Sequence, residues 1–212
     1  MEIILTARDD RLADAWEREF EGVTRIRVHR GSIFDVSCDA VVSPANSFGF
    51  MDGGIDALYM DRFGDDIQMK LRRLILDHHH GELLIGNAAL VETGHPDQPY
   101  LIAAPTMRVP MVLDETTINP YLATRAVLLL VKKGLIITGR HTGQGVASHV
   151  KTIAFPGMGT GIGRVPPAIC ARQMRAAVRE VMFDQYRMPT SWAEASERHQ
   201  LLYGSRVVNL QY

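Results

Sequence analysis

At 212 residues the chain is about one and a half times a typical domain of roughly 150, which favours one elaborated domain over two. Its 23 basic and 24 acidic side chains leave a net charge of −1, so the strong positive footprint of a general nucleic-acid binder is absent. A composition of 46% apolar and 22% charged residues is that of a globular protein with a real core, and excludes disorder and fibrous structure.

Residues 2–6 read as a short buried strand and 9–20 as a helix, with Leu12, Ala15, Trp16 and Phe20 recurring at helical spacing. Residues 23–28 alternate apolar and polar, as a half-buried strand does. After a turn at Gly31, residues 40–42 form a compact strand that stops at Ser43-Pro44. Helices are predicted over 53–63 and 67–77, separated by Gly64, and strands over 88–92 and 100–103 around the turn His95-Pro96-Asp97. Residues 117–133 read as a helix with Thr117 at its N-cap, Pro120 in its first turn and Gly134 as its stop. Residues 135–138 are either one more strand turn or the lead into a loop, and the glycine-rich 139–148 is the candidate mobile connection. A strand over 151–155, a loop over 157–163, a helix over 166–184 opening on prolines and a last helix over 190–202 complete the chain.

Strands alternating with helices imply an α/β layer fold with a mostly parallel sheet, and no repeat, low-complexity tract or linker divides it. Cys38 and Cys170 lie too far apart for a CxxC clip and are too few for a disulfide framework or a four-cysteine zinc site, which fits a reducing compartment. The longest plainly apolar stretch, 126–131, falls far short of the roughly 18 residues of a membrane span. The N-terminus lacks the basic start and long apolar run of a signal peptide, so a cytoplasmic location is expected.

Two loops after predicted strands carry the chemistry. The first runs from Ser43 through Asn46 and Asp52-Gly53-Gly54-Ile55-Asp56 into a helix N-terminus, where exposed amides and the helix dipole favour an anion. In the second, Gly157, Gly159, Gly161 and Gly163 alternate with Met158, Thr160 and Ile162 ahead of another helix. Ligands of open α/β sheets bind beyond the strand carboxyl ends, so two such loops on neighbouring strands would clamp two phosphates. Either set of glycines alone could simply make tight turns. The spacing is not GxGxxG and no GxxxxGK[ST] exists, so a Rossmann site or a P-loop fits poorly.

The segment Asp39-Ala40-Val41-Val42-Ser43-Pro44-Ala45-Asn46-Ser47, followed by Gly53-Gly54-Ile55-Asp56, resembles the V-D-A-[IV]-V-N-A-A-N-S and G-G-[VI]-D motifs of the macrodomain family of ADP-ribose-binding modules. Thr152-Ile153-Ala154-Phe155-Pro156 with Thr160-Gly161-Ile162 resembles its second phosphate loop, and with the order of elements the resemblance covers roughly residues 1–183. It implies a three-layer α/β/α fold around a central mixed, mostly parallel sheet. The whole of 1–212 would be a single macrodomain with a C-terminal extension from about 184.

By the same resemblance Gly53, Gly54 and Ile55 would offer amides to the diphosphate, with Gly157, Gly159, Thr160, Gly161, Ile162 and Gly163 closing over it. Ser32 and Ile33 would meet adenine. Asn46 would hold the distal ribose, and Asp56 would orient or deprotonate the water that attacks the anomeric carbon of an ADP-ribosylated acidic side chain. Without the resemblance, Asp56 is a carboxylate at a helix N-terminus and Asn46 a turn former.

The pattern also breaks. Gly31-Ser32-Ile33 stands where the family has G-D-I, so Ser32 replaces the carboxylate that accepts the adenine amino group, with Asp35 as a possible substitute. Ser43 replaces the first Asn, and Gly163 the aromatic residue after the second-loop isoleucine, which would widen the pocket. Residues 104–110 differ from the usual strand end, and Arg108 or Arg164 could reach an anionic ligand.

Other candidates reduce to structure. His78, His79 and His80 end a helix without a second ligand cluster, Cys170 reads as core, and Met51, Met60 and Met69 read as gap-filling core residues. No metal or cofactor is implied. The expected function is binding of ADP-ribose or an ADP-ribosylated protein, with hydrolysis of the ADP-ribosyl group. A non-catalytic ADP-ribose reader and a hydrolase of another nucleotide-derived phosphate metabolite are the alternatives.

Overall fold

The computed structural model describes residues 1–208. Six strands form one sheet: β1 (Glu2–Ala7), β2 (Ile26–Arg30), β3 (Ala40–Ser43), β4 (Ala89–Glu92), β5 (Tyr100–Ala103) and β6 (Thr152–Phe155), in the order β2-β1-β6-β3-β5-β4. Every pairing is parallel except β4 with β5. Helices α1 (Asp10–Glu19), α2 (Gly54–Phe63), α3 (Asp66–His79), α4 (Asn119–Lys133), α5 (Val146–His149), α6 (Pro167–Met182) and α7 (Trp192–Tyr203) flank the sheet, with α7 against α6.

The strands read as nearly unbroken apolar runs because both faces are covered, and the pleat divides them between two cores. Ile3, Leu5 and Phe155 point to one face, where Trp16 of α1, Val127 and Leu128 of α4 and Met174 and Val178 of α6 close over them. Ile4, Val41, Leu101 and Ala154 point to the other, under Tyr59 and Phe63 of α2 and Ile67, Leu71 and Leu74 of α3. Three layers result. Cys170 is buried in the first core, as expected, and Cys38 in the second.

Three local expectations are corrected. The second strand lies at Ile26–Arg30 rather than 23–28, because Val23 belongs to the turn closing α1 and Arg25 takes a left-handed φ of 65° before the strand begins. Thr117 does not cap α4, which starts at Asn119. Its hydroxyl accepts from the Asn119 amide at 3.3 Å, and the buried Gln173 accepts from Tyr121 N. Residues 139–148 are no open linker: Gly143 N and Ile136 N bond to Ile136 O and Gln144 O, and the segment ends in the single turn of α5. Beyond α6, helix α7 packs on it and Arg172 donates to Gly204 O at 2.9 Å. Among the described residues no helix is long and apolar enough to cross a membrane.

Candidate functional site

Strands β1, β6 and β3 are neighbours, so the loops leaving their carboxyl ends meet over one crevice. It is a cleft of about 330 Å³, and it gathers the residues expected to bind the ligand or act on it: Ser32, Ile33, Asn46, Gly53, Gly54, Ile55, Asp56, Gly157, Gly159, Thr160, Gly161, Ile162 and Gly163.

The first loop is built by continuing the β3–β5 pairing past the strand ends. Ala104 N bonds to Ser43 O, Thr106 N to Ala45 O and Ser47 N to Arg108 O. Asn46 then turns the chain. Its Oδ1 accepts from Phe48 N at 3.1 Å and Phe50 N at 3.2 Å, and its Nδ2 donates to Phe50 O at 2.7 Å. A primary amide has two N–H donors, so one remains for the cleft. Gly53 caps α2 without a side-chain hydrogen bond, and Gly54 has φ +60° with open space where a Cβ would stand. That left-handed conformation suits glycine and leaves the first amides of α2 uncovered.

Asp56, in the first turn of α2, is buried against the cleft wall with 7% exposure. The hydroxyl of fully buried Ser43 donates to its Oδ1 at 2.5 Å. Burial pushes the Asp56 carboxyl up to about 6, the Ser43 hydrogen bond opposes that rise, and nearby Asp52 adds to it. The residue in place of the family's first Asn is therefore the direct partner of the candidate base. Tyr59, one turn on, donates to Val42 O at 2.9 Å and pins α2 to β3.

The second loop folds back on itself. Arg164 N bonds to Gly161 O, Val165 N to Gly159 O and Leu113 N to Gly163 O. A Cβ at Gly157 would stand 2.2 Å from Thr160 Oγ1, and one at Gly163 would stand 2.6 Å from Gly159 O. Gly163 is thus buried packing at the base of the loop, where no aromatic side chain fits on this backbone, and Ile162 is the half-exposed rim residue.

At the opposite end, residues 33–35 form one 3-10 turn. Ser32 Oγ accepts from Phe34 N at 3.3 Å and Asp35 accepts from Ser32 N at 2.8 Å. The carboxylate of Asp35 is committed to this cap beside His29 and lies outside the cleft lining, so it does not replace the missing aspartate. Buried Gln98 holds the turn from across the sheet, donating to Ile33 O at 2.9 Å and Val36 O at 3.1 Å.

Arg108 and Arg164 also fall outside the lining. Arg108 pairs with Glu82 at 2.7 Å and lies over Phe48. The cation that does line the cleft is Arg8, directly after β1, a position recognisable once a parallel strand end is taken as a ligand edge. Phe34, Phe50, Asp52 and Met107 line it as well, and none of them carries a ligand role by sequence reasoning. Among the described residues no group of three or more His, Cys, Asp or Glu side chains is placed to hold a metal ion.

A mostly parallel sheet between two helical layers, with two glycine-rich loops meeting over its central strand ends, defines a macrodomain. A family model described as Macro domain matches residues 42–174, and the chain belongs to that family. An uncharacterized protein of Aquifex aeolicus is 33% identical over 156 residues, 73% of this chain and 81% of that protein. Among solved structures, the macrodomain of Mycobacterium tuberculosis DarG superposes with a TM-score of 0.55 at 17% identity, over 71% of this chain and 87% of that one. A variant of the Oceanobacillus iheyensis macrodomain with ADPR gives 0.56 at 17% identity, over 70% and 73%. At these identities the structural likeness establishes the fold.

Proposed function

We propose that the cleft binds ADP-ribose and that the protein hydrolyses ADP-ribosyl groups from acidic side chains of modified proteins. Asp56 carries this reading: a buried carboxylate with a pKa near 6, at the cleft wall beside the amides of α2. A carboxylate of that basicity is well matched to taking a proton from water near neutral pH. In the proposed step the water oxygen bonds to the anomeric carbon of the distal ribose while the bond from that carbon to the carrier's carboxylate oxygen breaks. The water proton passes to Asp56. Because the leaving group departs as a carboxylate it needs no proton, so one base suffices. The structurally similar macrodomain that contains ADPR supports the ligand. A binding-only reader is supported by Asn46, whose amide is largely committed to the loop.

Calorimetric titration with ADP-ribose beside AMP, ADP and NAD tests the ligand. ADP-ribose should bind, and Gly54→Glu should abolish binding, because its side chain would enter the open space above a left-handed backbone and oppose the phosphates. Equal affinity in a folded variant would remove the first loop from the site. Release of ADP-ribose from protein modified on Asp or Glu, beside protein modified on Ser or Arg, tests the chemistry. Tight binding with no release from any linkage would leave the reader.

A further inference from the structure

A second depression adjoins the cleft and has no part in the chemistry above. It is a groove of about 580 Å³ along the outer face of α3, bordered by Phe48, Gln68, Met69, Arg72 and Leu76, and it shares Phe50 with the cleft. Positions 69, 72 and 76 are three and four apart and so lie on one helix face. That face is unusually apolar for an exposed one: Met69 is 65% exposed, Leu76 59% and Phe50 48%. Met69, expected in the core, is instead a surface residue of this groove.

The charges are uneven. Lys70 is paired with Asp66, Arg73 with Asp77 and Arg108 with Glu82. Arg72 has no carboxylate partner among the described residues, and its guanidinium sits 4.2 Å from the centroid of the Phe50 ring. An apolar trough with one uncompensated cation at its cleft end suits a polypeptide segment with an apolar side chain and a carboxylate. It suits a stacked nucleobase less, because Arg72 already covers a face of the Phe50 ring.

Resting on the ADP-ribose reading above, we infer that this groove docks the acidic polypeptide segment that carries the ADP-ribosyl group. Phe50 borders both depressions, so a carrier attached to the ligand has an apolar path from the cleft onto α3. Recognition would then be bipartite, with the cleft reading the nucleotide and the groove reading the carrier.

Titration of four probes into protein carrying Asp56→Asn, which cannot turn the modified peptide over, tests this: free ADP-ribose, a short synthetic acidic peptide containing one leucine and ADP-ribosylated on a glutamate, the same peptide unmodified, and an ADP-ribosylated oligonucleotide. The modified peptide should bind about tenfold more tightly than free ADP-ribose. Arg72→Glu and, separately, Leu76→Glu should remove that surplus while leaving the affinity for free ADP-ribose within about twofold. Leu76 is exposed, so its variant guards against a folding artefact. Normal binding of free ADP-ribose with no surplus for the peptide, or a surplus that survives both substitutions, overturns the groove. A surplus found only for the oligonucleotide overturns the choice of a polypeptide carrier. No binding of free ADP-ribose overturns the ligand reading, and the inference with it.

Discussion

Asp56 is an acid whose folded environment disfavours its own charge. The folded carboxyl has a pKa near 6 against 3.8 for the ordinary group, so the native state holds the proton more tightly than the unfolded chain. Its contribution to stability is full below about pH 4 and is lost as pH rises through about 6, a swing of up to about 3 kcal/mol. Asp56→Asn, isosteric and neutral, should therefore abolish turnover and yet raise the urea midpoint at pH 8, with the gain closing below pH 4. Unfolding titrations at the two pH values measure it, and equal midpoints at pH 8 would contradict the buried charge. In the wild type, kcat/KM should climb with a midpoint near pH 6. Ser43→Ala removes the hydrogen bond that favours the charged form, so that midpoint should move upward. Asp56 was legible in the sequence because it ends a glycine motif at a helix start. Ser43 registered only as a departure, because its contact spans 13 residues and depends on how α2 docks on β3.

Both loops were legible as elements, since glycines between an apolar strand and a helix leave few alternatives for the backbone. Their supports were not. Gln98 holds the Ile33 turn from 65 residues away, and Leu113 ties down Gly163 from a segment without regular structure. Gly163 reads as extra space in the sequence and is packing in the structure, because a missing side chain in a sequence does not tell a void from a contact. On this backbone Gly163→Ala would force a methyl against the Gly159 carbonyl, Leu113 and Met107. It should cost about 1–3 kcal/mol, read as a lower urea midpoint, and should weaken ADP-ribose binding by shifting the second loop. Gly161→Ala, where a Cβ meets open space, is the control and should leave stability nearly unchanged.

Across the molecule, the alternation of strands and helices announced a layered α/β fold, but strand order was beyond reach because no local feature of residues 152–155 says which strands they will join. Among the described residues the cleft draws on nothing after Gly163, while α7 packs on α6. A chain ended after Arg187 should therefore keep its ADP-ribose affinity within about twofold and lose a few degrees of thermal midpoint, at about 2–4 °C per kcal/mol, as scanning calorimetry would record. The place of β6 has a consequence for how the protein comes into being. It is the last strand to be made, yet it lies between β1 and β3 and alone joins the β2–β1 pair to the β3–β5–β4 group. Until it leaves the ribosome, the strands already made can form at most two separate groups, with no crevice between them. At about 5–20 residues per second, the roughly 50 residues between β5 and β6 take several seconds to make, during which any strand edge of β1 or β3 that awaits β6 is unpaired and open to aggregation.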